Sequence, residues 1–227
     1  MKTQDVQEHF RVQVPDYPGL MRRLIPFYDQ QRGLMRALIP FDRTTPLMVL
    51  DLGCGPGLMA AEILSEFPFS RVTLFDLTAE MIHVCKARLA GSDRATYRIG
   101  DFRTDDFGGG YDLIIASLSL HHLERAERPA FFRRVHESLL PSGHLIAAEV
   151  IVDESPEVRE RQYELWQRFM IEQGEDGAAW YQKHLAKDHP IDISTLVTLL
   201  SQAGFTAPGC FWRYLNFAII SAHRAAV

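Results

Sequence analysis

Apolar positions in the first part of the chain recur at helical spacing. Leu20, Met21, Leu24, Phe27 and Tyr28, then Leu34, Met35, Leu38 and Ile39, predict two short amphipathic helices, broken at Pro26 and closed by Pro40. From Leu47 the pattern changes to short apolar runs that alternate with helical segments. Strands are predicted at 48–51, 71–75, 96–99, 113–116 and 145–150, and helices near 57–66, 78–90, 127–140 and 192–203. Such alternation calls for a parallel sheet with helices on both faces. Residues 152–191 interrupt it with a helix over 156–171, a glycine-containing break at 174–177 and a second helix over 178–187. Pro156 suits the first turn of that pair and Pro190 the stop after it. A turn is expected at Pro208-Gly209, followed by β-rich runs at 210–215 and 217–222, a closing hairpin whose second strand slots antiparallel into the sheet. The organisation read from this pattern is an N-terminal helical lid over 1–46 and one domain over 47–227, with the helical insert 152–191.

Composition narrows the function. A chain of 227 residues, 47% hydrophobic and 23% charged, can bury one large core. Its net charge of -5 gives no basic stripe for a duplex, so no nucleic-acid partner is expected. Cys54, Cys85 and Cys210 form neither a C-x-x-C pair nor an even framework, which suits a reducing compartment. Without a signal arrangement or a membrane-length apolar run, the expectation is a cytoplasmic monomer or homodimer acting on a small molecule.

The chemistry gathers where strands end, because open α/β sheets bind ligands beyond the carboxyl ends of their strands. The run Val49-Leu50-Asp51-Leu52-Gly53-Cys54-Gly55-Pro56-Gly57-Leu58 reads as a buried strand, a tight turn and a helix start. Its glycines alternate, unlike the G-x-G-x-x-G spacing that faces a pyrophosphate. Asp76 closes the second strand about twenty residues later, where a carboxylate meets a ribose diol; the bland alternative is a helix N-terminal acid beside Thr78. Asp101 and Phe102 follow the third strand, over an adenine or else at a turn with Thr104. After the fourth strand come Ser117, Leu118, His121 and His122. Adjacent histidines point opposite ways, so at most one faces substrate. With Glu124 they lack metal-ligand spacing, and no metal is expected.

These motifs, in this order, resemble those of the class I S-adenosylmethionine-dependent methyltransferases over residues 47–150. The resemblance implies a Rossmann-like, doubly wound, mostly parallel sheet of seven strands and S-adenosyl-L-methionine as cofactor. It places Asp51, Gly53, Cys54, Gly55 and the Ser117 carbonyl at the methionine end, Asp76 on ribose, Asp101 with Phe102 on adenine, and Leu77, Met81 and Leu118 along the crevice. The flanking segments Arg23-Leu24-Ile25-Pro26-Phe27-Tyr28, Tyr181-Gln182-Lys183 and Trp212-Arg213-Tyr214 are similar to those of carboxy-S-adenosylmethionine synthases and their small methyltransferase relatives. Those synthases hold a new carboxylate with an insert arginine, where this chain has Gln182-Lys183-His184. A cation at Arg23 suits the methionine carboxylate, or pairs with Asp16 or Asp29.

The implied reaction is in-line methyl transfer to a small molecule. His122 or Glu149 is the candidate base, and Tyr28 and Tyr181 belong to an aromatic cover with Tyr17, Trp166, Phe169 and Trp212. The alternatives are transformation of the cofactor itself, by carboxylation or cyclisation, and non-catalytic binding.

Overall fold

The expected strands all enter one sheet in the computed structural model, which describes residues 16–226. Two helices, α1 (Tyr17–Leu24) and α2 (Tyr28–Ala37), precede the alternating part: β1 (Met48–Leu52), α3 (Leu58–Glu66), β2 (Arg71–Asp76), α4 (Ala79–Arg88), β3 (Ala95–Ile99) and β4 (Tyr111–Ser117). A single 3-10 turn, Leu120–His122, leads to α5 (Arg128–Ser138) and β5 (Leu139–Val150). The insert is α6 (Pro156–Glu172) and α7 (Gly177–Lys187), and α8 (Ile193–Gln202), β6 (Thr206–Tyr214) and β7 (Phe217–His223) complete the chain.

The seven strands lie in the order β3-β2-β1-β4-β5-β7-β6. Strands β1 to β5 pair in parallel, and β7 pairs antiparallel with both β5 and β6. Strand order reverses between β1 and β4, so a crevice opens beyond their carboxyl ends, as the topology rule requires.

Alternation along β1 sorts its side chains. Leu50 and Leu52 join Ile114, Phe131, Phe132 and Leu200 on one face, while Val49 joins Ile115, Met35, Ile63 and Ile82 on the other. Both faces are covered, which is why β1 and β4 read as continuous apolar runs. A third cluster lies above the strand ends, where Leu20, Met21 and Leu24 of α1 pack with Tyr163, Trp166 and Met170 of α6 and Phe217 of β7. Side-chain caps start the insert and the helix after it: Ser155 accepts from the Val158 N–H, Asp176 from Ala179 and Asp192 from Thr195.

Helix α1 lies with the insert over the mouth of the sheet, and α2 reaches the same cluster with Tyr28 while its Met35 packs on the sheet face. Two expectations change. Pro208-Gly209 sits within β6, where a register irregularity between Thr206 and Gly209 and a left-handed Ala207 (φ 47°) absorb the bend. Strand β5 begins at Leu139, since Leu139 pairs with Tyr111 across a register shift before the regular ladder resumes at His144. Residues 1–15 of the expected lid lie outside the described residues.

Candidate active site

Two adjoining cavities occupy the crevice. The first spans about 960 Å³ of empty space, its open mouth included, and is lined by the glycine loop, Asp51, Asp76, Asp101 and Phe102. The second, about 770 Å³, lies between α1, the insert and β7, against Met21, Val150, Trp166 and Phe217. Tyr17, Leu118 and His122 line both.

The loop after β1 is glycine by necessity. Gly53 (φ +72°) would place a Cβ 2.5 Å from Cβ of Ser119, and Gly57 (φ +75°) one 2.9 Å from Sγ of Cys85. Cys54 packs 3.8 Å from the Cys85 sulfur, and burial pushes its thiol well above the ordinary range, so it is a filler of the loop and not a nucleophile. The Tyr17 hydroxyl lies about a van der Waals contact, 4.0 Å, from where a Cβ on Gly55 would stand. Leu118 takes the left-handed backbone (φ 58°) directly after β4, a strained conformation of the kind found at ligand sites.

Charges around the first cavity are left partly unanswered by the protein. Asp51 is 1% exposed, its Oδ2 has no hydrogen-bond partner, and burial raises its carboxyl pKa to about 7. Arg32 commits Nη2 to Asp29 (2.8 Å) and Glu62 (3.2 Å), while its buried Nε and Nη1 have no partner. An unpartnered carboxyl oxygen and an unpartnered guanidinium edge on two residues that line one cavity fit a zwitterion, such as the methionine end of S-adenosylmethionine. The oxygens of Asp76 accept from the Gly55 N–H (2.8 Å) and from the N–H and hydroxyl of Thr78 (both 3.0 Å), so the residue braces the loop as well as lining the cavity. Thr78 in turn caps α4. Asp101 is gripped by Arg103, whose Nη2 lies 2.6 Å away; burial works upward on this carboxyl, but the guanidinium and the Arg103 N–H hold it below the usual range.

The second cavity ends on a cluster of imidazoles and carboxylates. Asp188, just past α7, has Oδ1 at 3.1 Å from His122 Nδ1 and 3.9 Å from His121 Nε2, and Oδ2 at 2.7 Å from His184 Nδ1. Burial opposes ionisation of Asp188, but the three imidazoles hold its pKa far below normal. His121 is pushed well below its ordinary value, by burial first and His122 second. Glu149, on β5, accepts from the Leu120 N–H at 3.1 Å and is raised to about 8 by burial, against the pull of Arg128.

Most predicted site residues come together. Asp51, Gly53, Cys54, Gly55, Asp76, Leu77, Met81, Asp101, Phe102, Ser117, Leu118, Tyr28 and His122 all line the first cavity. Three candidates line neither. Arg23 faces outward and pairs with Glu175 (2.7 Å) and Asp16 (3.4 Å), because α1 presents its apolar side to the insert. Glu149 lies behind His121, sealed from the cavity by it (3.9 Å). Tyr181 packs its ring against Tyr163, 5.0 Å between centroids. Sequence reasoning missed Arg32, Arg103 and Asp188, which lie in helical or loop stretches without a motif; only the helical spacing of Arg32 between the apolar Tyr28 and Met35 offered a signal for the first.

The strand order, the glycine loop and the acids at or just past the ends of β1, β2 and β3 define a ligand crevice on a Rossmann-like sheet. A family model described as "Methyltransferase domain" matches residues 49–143. The chain is 28% identical over 220 residues to the carboxy-S-adenosyl-L-methionine synthase of Chromohalobacter salexigens, covering 92% of this chain and 80% of that one. Among solved structures, a DhpI complex with S-adenosylhomocysteine superposes with a TM-score of 0.68 at 16% identity, over 98% of this chain and 97% of that one. Human N-acetylserotonin methyltransferase in complex with S-adenosylmethionine gives 0.58 at 20%, over 96% of this chain but 62% of that one, so this chain spans less than two thirds of that relative. Residues 49–143 thus carry a methyltransferase domain, and the chain along most of its length is similar to S-adenosylmethionine-dependent enzymes, which supports a transferase whose cofactor is S-adenosylmethionine. Among the described residues no helix is long and apolar enough to cross a membrane.

Proposed function

We propose that this enzyme methylates a small-molecule acceptor, in a biosynthetic or metabolic step of the cytoplasm, as a monomer or homodimer. The observation that carries the reading is the junction of the two cavities at Tyr17, Leu118 and His122, which offers donor and acceptor separate cavities with one meeting point. The cofactor supplies a methyl on a positively charged sulfur. The protein's task is to align the acceptor about 3 Å from it and in line with the departing sulfur, with water excluded.

Each residue then has a part. Asp51 and the Ser117 carbonyl take the methionine ammonium, Arg32 its carboxylate, and Asp76 the ribose hydroxyls. Phe102 supplies an apolar face for adenine and Asp101, steadied by Arg103, its polar edge. Helix α1 and the insert cover the junction, and the acceptor is activated at His122, which Asp188 orients.

A second reading, conversion of the cofactor itself, is favoured by the likeness to carboxy-S-adenosyl-L-methionine synthase along most of the chain. The insert lines the second cavity with Lys183 and Lys187 and no arginine. Incubation with S-adenosylmethionine, alone and with a carboxyl donor added, followed by mass spectrometry, separates the two. Persistence of the cofactor until a methyl acceptor is supplied supports methyl transfer; methylthioadenosine formed from the cofactor alone, or a carboxylated sulfonium formed once the carboxyl donor is added, sinks it.

A further inference from the structure

The end of the second cavity holds a set of donors that alignment of a methyl group does not require. We infer that His121, His122 and Asp188 form a binding site for one divalent transition-metal ion, open toward the second cavity. One ligand atom from each residue lies within 4.8 Å of the other two. Neighbouring ligands on a zinc-sized ion stand about 3–3.4 Å apart, given metal–ligand bonds near 2.1 Å. His122 Nδ1 and Asp188 Oδ1 are already at 3.1 Å, and His121 Nε2, at 3.9 Å from the same oxygen, closes on the ion by moving toward both.

What stands behind the donors strengthens the case. A metal-binding imidazole is normally backed by a carboxylate on its other nitrogen, and here His121 Nδ1 faces Glu149 Oε2 at 3.9 Å. The second oxygen of Asp188 is fixed by His184 at 2.7 Å, and His184 by the Tyr163 hydroxyl at 3.1 Å. Asp188 Oδ1 is therefore held with its face toward the two histidines. In the protein alone this arrangement is unsatisfied, since His121 is 6% exposed and its Nδ1 has no hydrogen-bond partner.

Two imidazoles and one carboxylate suit iron(II), manganese, cobalt or zinc, and suit calcium or magnesium poorly. All three donors lie on the cavity wall, which leaves the remaining coordination positions to face an acceptor. The ion would hold an acceptor oxygen or nitrogen and favour its deprotonated form, with His122 serving as ligand and not as base. That role rests on the methyl-transfer reading, whereas the binding itself does not.

The test titrates cobalt(II) chloride into the full chain after chelator treatment and follows visible absorption. One equivalent per chain is expected, with ligand-field bands that disappear, and affinity that falls by about tenfold or more, in His122→Gln and in Asp188→Asn. His83→Gln, on the exposed side of α4, should match the unaltered protein. Absence of stoichiometric cobalt binding by the folded protein, or bands that survive in both variants, overturns the site. If Asp188→Asn does not fold, His122→Gln decides alone. Calorimetry with S-adenosylmethionine on the same metal-free sample keeps the two readings apart. Cofactor binding without cobalt binding removes the metal site and leaves the methyltransferase, while cobalt binding without cofactor binding supports the site and removes the other.

Discussion

The indole Nε1–H of Trp166 donates to the main-chain oxygen of Leu24 across 2.7 Å, and this bond ties the insert to the last turn of α1. Both partners are buried in the cluster that roofs the second cavity. The cover is thus one packed unit made of two segments far apart in sequence.

Trp166→Phe keeps most of the ring volume and leaves the Leu24 carbonyl without its donor. A loss of about 1 kcal/mol in stability is expected, against about 3–5 kcal/mol for Trp166→Ala, which also empties the site. Urea unfolding measures both, and proteolysis of α1 should quicken in the same order. Equal stability of the two variants would mean that the ring volume does not matter.

Arg32 and Arg23 should separate cleanly. Arg32 lines the first cavity and leaves two guanidinium nitrogens without hydrogen-bond partners, so Arg32→Met should weaken S-adenosylmethionine binding by roughly 1.5–3 kcal/mol, the value of a hydrogen bond to a charged group. Arg23→Met disturbs only the pairs with Glu175 and Asp16 and should leave the affinity as it was. Calorimetry on the two variants decides, and the reverse pattern would restore Arg23 as the carboxylate partner.

Asp51 makes cofactor binding depend on pH. Its folded pKa, near 7, lies above the unfolded value near 3.8, so the cofactor-free protein holds an extra proton between those limits. The associated stability is complete below about pH 4 and is lost as pH rises through 7, up to about 4 kcal/mol by linkage. Asp51→Asn should therefore gain stability over the unaltered protein between pH 5 and about pH 8, read by urea unfolding at both. A bound ammonium favours the ionised acid, so binding below pH 7 should release a proton. Calorimetry in buffers of different ionisation enthalpy detects it, and zero release at about pH 6 would place the ammonium elsewhere.

Gly53→Ala meets two penalties, a left-handed backbone costing about 1–2 kcal/mol and a contact of 2.5 Å with the Ser119 side chain. The variant should be less stable and lose cofactor affinity. Gly53→Ala combined with Ser119→Gly should recover part of the stability, because the contact goes and the backbone strain stays. No recovery would show that the contact is not what costs.

The chain's own pattern settled the scaffold and the cofactor's binding face. Apolar runs of strand length buried on both sides specify a parallel sheet, and the glycine loop with Asp51, Asp76 and Asp101 lies at strand ends, so local order places it at the crevice. Those are short-range signals, legible because each residue's position follows from the element it terminates.

What only the tertiary structure decided is which side chains meet from distant elements. Arg32 rather than Arg23 reaches the cavity because α2 packs on the sheet while α1 turns its apolar side to the insert. Asp188 joins His121 and His122 because α7 folds back over the 3-10 turn after β4. No spacing within the sequence encodes such a meeting, since it depends on the helix packing that closes the roof and on burial, which leaves an ionisable group a partner only across the fold.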